Sequence, residues 1–204
     1  MERPYLIGLT GGIASGKNMV AEMLARRGAA VIDADGVSRD LVAPGAPLLG
    51  EIVARWGHGV LLPDGALDRK ALAARVFGDD EAVAQLNALT PPAILAEMRR
   101  RAEASPSALV VFMAPLLFES GGERLVDEVW VVTADDDIRV RRILTRDGVT
   151  EVEARARMAA QVAPAEARAR AQVVIENNGD RAHTEARVEE AWLAARQRAA
   201  ARGV

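Results

Sequence analysis

The 204-residue sequence contains no cysteine. Disulfides and thiolate metal sites are thereby excluded, and the cytoplasm is the simplest expected location. Histidine is scarce too: His58 and His183 have no metal-ligand spacing, and neither stands beside a plausible nucleophile. Long hydrophobic runs are missing. The longest, Ala108–Phe118, falls well short of the roughly 20 residues a membrane helix needs, and the apolar start Tyr5–Leu9 runs into glycines where a signal peptide would have its cleavage site. There is no basic excess either. Against 29 Asp and Glu stand 26 Lys and Arg, a net charge of −3, and the basic residues are spread along the chain. That pattern argues against a nucleic-acid scaffold, which carries a basic stripe, and against a membrane-surface protein, which needs a cationic face.

What is present fits one hydrophobic core with small insertions, since half the residues are hydrophobic and one domain takes about 100–200 residues. Tyr5–Leu9 reads as a buried strand closed by Thr10-Gly11-Gly12. Helical periodicity follows from Gly16 to Arg27, stopped by Gly28, and Ala29–Ile32 is a second short strand. Strand, glycine loop, helix, strand is a βαβ unit, the building block of parallel sheets. The next convincing strand, Ala108–Met113, comes some 75 residues later, where a simple connection takes about 2–6. Helical periodicity at Leu48–Trp56, Asp68–Phe77, Asp80–Leu89 and Pro92–Ala104, with turns at Pro44–Pro47 and Pro63–Gly65, predicts an inserted helical subdomain over about 43–106. Insertions at the carboxyl ends of strands are where open α/β sheets place acceptor sites. Glu128–Thr133 and Val173–Ile175 complete the strands. Asp135–Arg146, Thr150–Gln161 and His183–Arg202 read as helices, with a lid expected at about 146–165 and core segments at 1–42, 107–145 and 166–204. Trp56, Trp130 and Trp192 are assigned to packing.

Gly11-Gly12-Ile13-Ala14-Ser15-Gly16-Lys17 fits the first seven positions of G-x-x-x-x-G-K-[ST]. Glycines let successive backbone N–H groups turn inward around phosphate oxygens, and the following helix directs its positive end at the same anion. Lys17 reaches the β- and γ-phosphates as a point charge. Only Lys17 and Lys70 are lysines, so random placement yields this pattern on the order of once per hundred such chains. The hydroxyl that follows the lysine and ligates Mg²⁺ is replaced by Asn18, whose carbonyl oxygen Mg²⁺ can accept.

Asp33 and Asp35, two apart at a strand end, point to one side. A carboxylate there either takes the proton of an acceptor hydroxyl, helps hold Mg²⁺, or caps the next helix. Arg139, Arg142 and Arg146 share one helical face. They either stabilise charge on a migrating phosphoryl group or form a solvated face paired with Asp135, Asp136 and Asp137. Asn177-Asn178-Gly179 is first a turn signal and second an adenine contact.

With Gly8–Ile13 and Ser15-Gly16-Lys17, Ile32-Asp33-Ala34-Asp35, Leu67-Asp68-Arg69, Pro115-Leu116-Leu117-Phe118-Glu119, Arg142 with Arg146-Asp147, Arg157 with Gln161, and Asn177-Asn178-Gly179, the chain resembles the dephospho-coenzyme A kinases over nearly its full length. The resemblance implies a P-loop NTPase αβα fold with a parallel sheet, a helical CoA-binding insertion and an arginine-rich lid. It implies phosphorylation of the ribose 3′-hydroxyl of dephospho-CoA by ATP with Mg²⁺, the last step of coenzyme A biosynthesis, by a cytoplasmic monomer or weak homo-oligomer. Asp35 becomes the general base, with Lys17 and Arg142 catalytic beside it. ATP falls to Gly11, Gly12, Ile13, Ala14, Ser15, Gly16, Lys17, Asn18, Met19, Arg142, Arg146 and Asn177. Dephospho-CoA falls to Thr10, Asp35, Asp68, Arg69, Pro115, Leu116, Leu117 and Glu119, and Mg²⁺ to Asn18.

Three positions depart from the family pattern: Ala14 stands for glycine, Asn18-Met19 for Ser-Thr, and Pro91-Pro92 for His-Pro. An alanine at 14 demands a strained backbone if that position has positive φ. Two rival readings follow. Another small-acceptor P-loop kinase would share the loop and lid but not both Ile-Asp-Ala-Asp and Pro-Leu-Leu-Phe-Glu. A catalytically weakened nucleotide-binding relic would explain Ala14, Asn18 and Met19, and the retained Asp35, Arg142 and Arg146 speak against it.

Overall fold

The computed structural model describes residues 3–203. It divides into two compact units, Met1–Ile32 with Ala102–Val204, and Asp33–Arg101. The first unit is organised by a five-stranded sheet in the order β2-β3-β1-β4-β5, comprising β1 (Tyr5–Thr10), β2 (Ala30–Asp33), β3 (Leu109–Met113), β4 (Glu128–Thr133) and β5 (Val173–Glu176). β1 lies parallel between β3 (Ile7 opposite Val111) and β4 (Leu9 opposite Trp130), and β4 runs parallel to β5 (Val132 opposite Ile175).

The period of two explains the packing. Tyr5, Ile7, Leu9, Leu109, Val111, Trp130, Val132 and Ile175 share one face. There they form a core with Val20, Met23 and Leu24 of α1 (Lys17–Arg26) and Val188, Trp192 and Ala195 of α9 (Arg181–Ala201). The opposite face is closer-packed at its centre. A Cβ on Gly8 would lie 2.8 Å from Leu117 Cδ2, so only glycine lets that leucine lie on the strand. Further along, the Arg168 guanidinium of α8 (Pro164–Arg170) donates to Thr133 Oγ1 at 3.1 Å on that same face. Both strand faces are therefore covered, which is why β1 and β4 are buried at every position. Glu128 is tolerated in that interior because Trp130 Nε1 donates to it at 3.0 Å and Arg198 of α9 pairs with it at 2.6 Å.

The second unit is helical: α2 (Ala34–Leu41), α3 (Pro47–Trp56), α4 (Arg69–Val76) and all but the end of α5 (Asp80–Glu103). Its own apolar core is Val42, Leu48, Leu49, Ile52, Val60, Leu72, Val76 and Ala82. Periodicity suggests two helices broken at Thr90-Pro91-Pro92, yet α5 is assigned as one helix through both prolines. Each proline has the fixed φ of a helix but lacks the N–H of one ladder hydrogen bond, and its ring crowds the carbonyl four residues back, so the helix spans the pair at the loss of two bonds. Among the described residues no helix is long and apolar enough to cross a membrane.

Candidate phosphate-binding site

Residues 11–16 link the end of β1 to α1 in the first unit. Two glycines there are sterically required. A Cβ on Gly11 would lie 2.5 Å from the Val132 carbonyl oxygen. Gly16 has φ 100° and caps α1, and a Cβ there would lie 2.1 Å from Asn177 Nδ2. Between them Ala14 has φ 59°, the one non-glycine residue with positive φ among those described. The glycine-to-alanine departure thus falls where the backbone is left-handed and a side chain is strained.

The carbonyls from Gly12 to Gly16 are all engaged by protein. Gly12 O accepts from Ser15 N at 3.1 Å and Gly16 O from Val20 N at 3.2 Å. Ile13 O accepts from Arg139 Nε at 3.0 Å, Ala14 O from Arg142 Nη1 at 3.2 Å, and Ser15 O from Asn177 Nδ2 at 2.7 Å. The N–H groups of Ala14 and Gly16, by contrast, donate to nothing among the described residues. The first turn of α1, whose N–H groups have no acceptor within the helix itself, follows directly. Carbonyl dipoles held on one side and unpaired N–H groups left on the other make an anion nest.

The arginine face splits into two functions. Arg139 and Arg142 of α6 (Asp136–Asp147) turn to the loop, while Arg146 is exposed and pairs with Asp147 at 2.7 Å. Asp147 also takes Arg157 of α7 (Glu151–Ala159) at 3.0 Å. Its carboxyl is held below the usual range, first by the Arg146 hydrogen bond and then by the Arg157 charge. Arg139 is buried at 5% exposure. Burial pulls its guanidinium pKa down and Asp136, at 3.3 Å, opposes that, and a guanidinium remains cationic at neutral pH regardless. Asn177 is buried too: Nδ2 goes to Ser15 O and Oδ1 accepts from Thr184 Oγ1 at 2.9 Å, so its amide works on the loop from behind. Asn178 Oδ1 accepts from Asp135 N at 2.8 Å and so ties the end of β5 to the start of α6.

Of the other residues in this unit, Lys17 begins α1, exposed Asn18 follows it, and Met19 packs against the core. Ser15 Oγ, within the loop, is buried with no hydrogen-bond partner among the described residues. Thr10 Oγ1 donates to Pro115 O at 3.3 Å, which ties the end of β1 to the segment after β3. In that segment Leu116 and Glu119 are exposed, Leu117 is buried over Gly8, and Phe118 lies 4.1 Å beneath the Arg170 guanidinium.

In the helical unit, the capping role at the Ile-Asp-Ala-Asp segment falls to its first aspartate. Asp33 caps α2, accepting from Asp35 N and Gly36 N, both at 3.2 Å. Asp35 is exposed in the first turn, and its carboxylate makes no hydrogen bond or ion pair with a described residue. Asp68 caps α4 through Lys70 N and Ala71 N at 2.9 Å, and Arg69 is exposed beside it.

Sequence reasoning passed over two contacts. Arg139 was one member of a periodic face, and Gln161 only a partner in a resemblance, yet Gln161 Oε1 accepts from Ile13 N at 2.7 Å. The signal available for Arg139 was position: it sits in the second turn of the helix that follows β4, the strand beside the loop.

Comparison with known proteins agrees with this geometry. The model of the dephospho-CoA kinase family matches residues 5–183. Among curated relatives, a dephospho-CoA kinase of Geobacter sulfurreducens is 50% identical over 194 residues, covering 92% of this chain and 96% of its own. Another, of Moorella thermoacetica, is 48% identical over 192 residues, covering 92% and 91%. Among solved structures, a dephospho-CoA kinase from Campylobacter jejuni aligns with a TM-score of 0.68 at 27% identity, over 92% of this chain and 95% of its own.

Proposed function

This chain belongs to the dephospho-CoA kinase family, and from that premise we propose that it transfers the γ-phosphoryl group of ATP to the ribose 3′-hydroxyl of dephospho-CoA. CoA and ADP are the products. The observation that carries the reading is the loop itself: every carbonyl from Gly12 to Gly16 is bound by protein, while the N–H groups of Ala14 and Gly16 have no acceptor among the described residues. Such a nest favours an oxygen-rich anion.

In this reading the loop over residues 11–19 receives the phosphates through those backbone N–H groups that the protein does not itself engage, Ala14 and Gly16 among them, and Lys17 lies against the β- and γ-oxygens. Arg142 and Arg146 supply positive charge over the migrating group, Arg146 by leaving Asp147. Such charges matter because the transition state spreads negative charge over the phosphoryl oxygens. Asn177 acts on ATP indirectly, by holding Ser15 O. Asp35 accepts the proton of the 3′-hydroxyl as its oxygen bonds to the γ-phosphorus and the bond to ADP breaks. Its unengaged carboxylate suits that role, because Asp33 has taken over the capping. Residues about 43–106 form the acceptor subdomain, where Asp68 and Arg69 meet dephospho-CoA. Thr10, Pro115, Leu116, Leu117 and Glu119 also take part in binding dephospho-CoA, and the segment at about 146–165 is the lid. We place the protein in the cytoplasm, as a monomer or weak homo-oligomer.

Mg²⁺ belongs to the same reading. Among the described residues no group of three His, Cys, Asp or Glu could hold a metal ion. That fits an ion that arrives on the nucleotide and needs one or two protein oxygens. Asn18, exposed in the first turn of α1, offers one through its amide carbonyl. When bound, the ion neutralises phosphate charge.

A coupled ADP-release assay with ATP and Mg²⁺ tests the function, with dephospho-CoA as acceptor and CoA as the control. Release that requires dephospho-CoA and is not supported by CoA is the expected result. ATP binding without turnover would instead support the nucleotide-binding relic.

A further inference from the structure

The dihedral angles of Ala14 are set by the peptide planes on either side of it. The plane before it carries the Ile13 carbonyl, held by Arg139 Nε at 3.0 Å, and the plane after it carries the Ala14 carbonyl, held by Arg142 at 3.2 Å. One plane further back, the Ile13 N–H donates to Gln161 Oε1 at 2.7 Å. Both polar groups of Ile13 are thus gripped by side chains more than 120 residues distant in sequence. Arg139 is also in close contact with the loop at Gly12, where a Cβ would lie 2.5 Å from its Nη2. This grip is applied next to the one described non-glycine residue with a left-handed backbone, Ala14 at φ 59°. Alanine disfavours that region where glycine does not. Released from its neighbours, the loop would relax toward negative φ and turn its N–H groups away.

We propose that Arg139 and Gln161 are positioning residues, which hold the Ile13 peptide so that Ala14 stays left-handed and the loop stays ready for ATP. The proposal rests on the loop being the ATP site. Arg139 acts here through geometry and not through its charge, which separates it from Arg142 and Arg146. The apparent Kd of a site equals the intrinsic value divided by the competent fraction. Losing the grip therefore weakens binding by about the factor with which alanine leaves the left-handed region, on the order of tenfold. With glycine at 14 that preference vanishes, and the same loss leaves roughly half the loops competent, a factor of about two.

The test is calorimetric titration of the full chain with Mg²⁺ and ATP, together with steady-state kinetics on the same proteins. The variants are Arg139→Met and Gln161→Leu, each made with Ala14 and with Ala14→Gly. The expected result is an ATP Kd raised about tenfold by either substitution with Ala14 and about twofold with Ala14→Gly. KM for ATP should follow Kd, while kcat at saturating ATP changes less than about threefold, because bound ATP draws the loop back. Equal losses in both backgrounds would overturn the proposal: for Arg139 they would mean direct charge contact with ATP, and for Gln161 a merely structural role. An unchanged Kd in the variants would overturn it as well. Failure of the unsubstituted chain to bind ATP would instead refute the site. If Arg139→Met does not fold, the uncharged and partly exposed Gln161 carries the same comparison.

Discussion

Replacing Gly16 with alanine should be among the most damaging single changes in the sheet unit, and the reasons can be added up. The residue has φ 100°, a backbone region that costs an L side chain about 1–3 kcal/mol. The new Cβ would also lie 2.1 Å from Asn177 Nδ2, a distance that requires movement. Asn177 is not a flexible end that can swing aside. It is 3% exposed, donates to Ser15 O at 2.7 Å and accepts from Thr184 at 2.9 Å. Two buried hydrogen bonds at about 1 kcal/mol each are therefore at risk. Against this, alanine restricts the unfolded chain and returns about 0.4–1 kcal/mol. The balance is a loss of about 2–4 kcal/mol, equivalent to roughly 5–15 °C in Tm for a protein of this size. Thermal unfolding followed by circular dichroism measures it. Asn177→Ala removes the obstructing amide, so the double variant should lose at least ~1 kcal/mol less than the sum of the single losses. A Gly16→Ala protein melting within about 2 °C of the parent, or a strictly additive cycle, would refute the steric reasoning.

Asp35→Asn should lower kcat by about 10²–10⁴-fold in the ADP-release assay while leaving the ATP Kd unchanged within about twofold, and a loss under tenfold would remove Asp35 as the general base. Asn18→Ser restores a hydroxyl beside Lys17 and should lower the Mg²⁺ concentration needed for half-maximal activity, whereas an unchanged Mg²⁺ titration would show that Asn18 takes no part in holding the ion. Glu97 is held down to about 2 by hydrogen bonds from Arg100 and then Arg101. With its folded pKa below the unfolded one, the stability it contributes is fully present above about pH 4.5 and is lost as pH falls toward 2. Both arginines are more than a third exposed or close to it, so solvent screening reduces the contribution to about 1 kcal/mol or less. Melting curves of Glu97→Gln should accordingly fall less steeply than those of the parent between pH 4.5 and 2, and parallel curves would show that the pair is inert.

The strands and most helices were legible because each carries a local signal. β1 and β4 are continuous apolar runs, Gly28 stops α1, and Thr150 with Glu153 forms a capping box at the start of α7. Among the elements that were not legible, α8 and α5 escape for opposite reasons. α8 buries no residue at all, so it has no apolar face for periodicity to detect, and Pro164 at its first position was the only cue. α5 has a strong breaking signal in Pro91-Pro92 and is nonetheless assigned as one helix through it. The signal was real, but each proline removes a hydrogen bond without reversing the direction of the chain.

The site was legible in its glycines and lysine and illegible in what supports them. Motif spacing predicts that N–H groups face an anion, but a motif does not state what the carbonyls on the other side are doing. Arg139, Arg142 and Asn177 supply that answer, Gln161 takes the Ile13 N–H, and all four act from 126 or more residues away with no local pattern relating them to the loop. Ala14 shows why this matters. Read alone, it counts against a working phosphate loop, since a left-handed alanine is disfavoured by about 1–2 kcal/mol. In the folded chain three separate hydrogen bonds converge on the two peptide groups flanking it and on the one before. Hydrogen bonds to a charged donor contribute about 1.5–3 kcal/mol each, the same order as the alanine's preference, so Arg139, Arg142 and Gln161 offset it by acting together. The same substitution that weakens the motif in isolation is therefore compatible with an intact nest, provided α6 and the end of α7 remain in place to hold it.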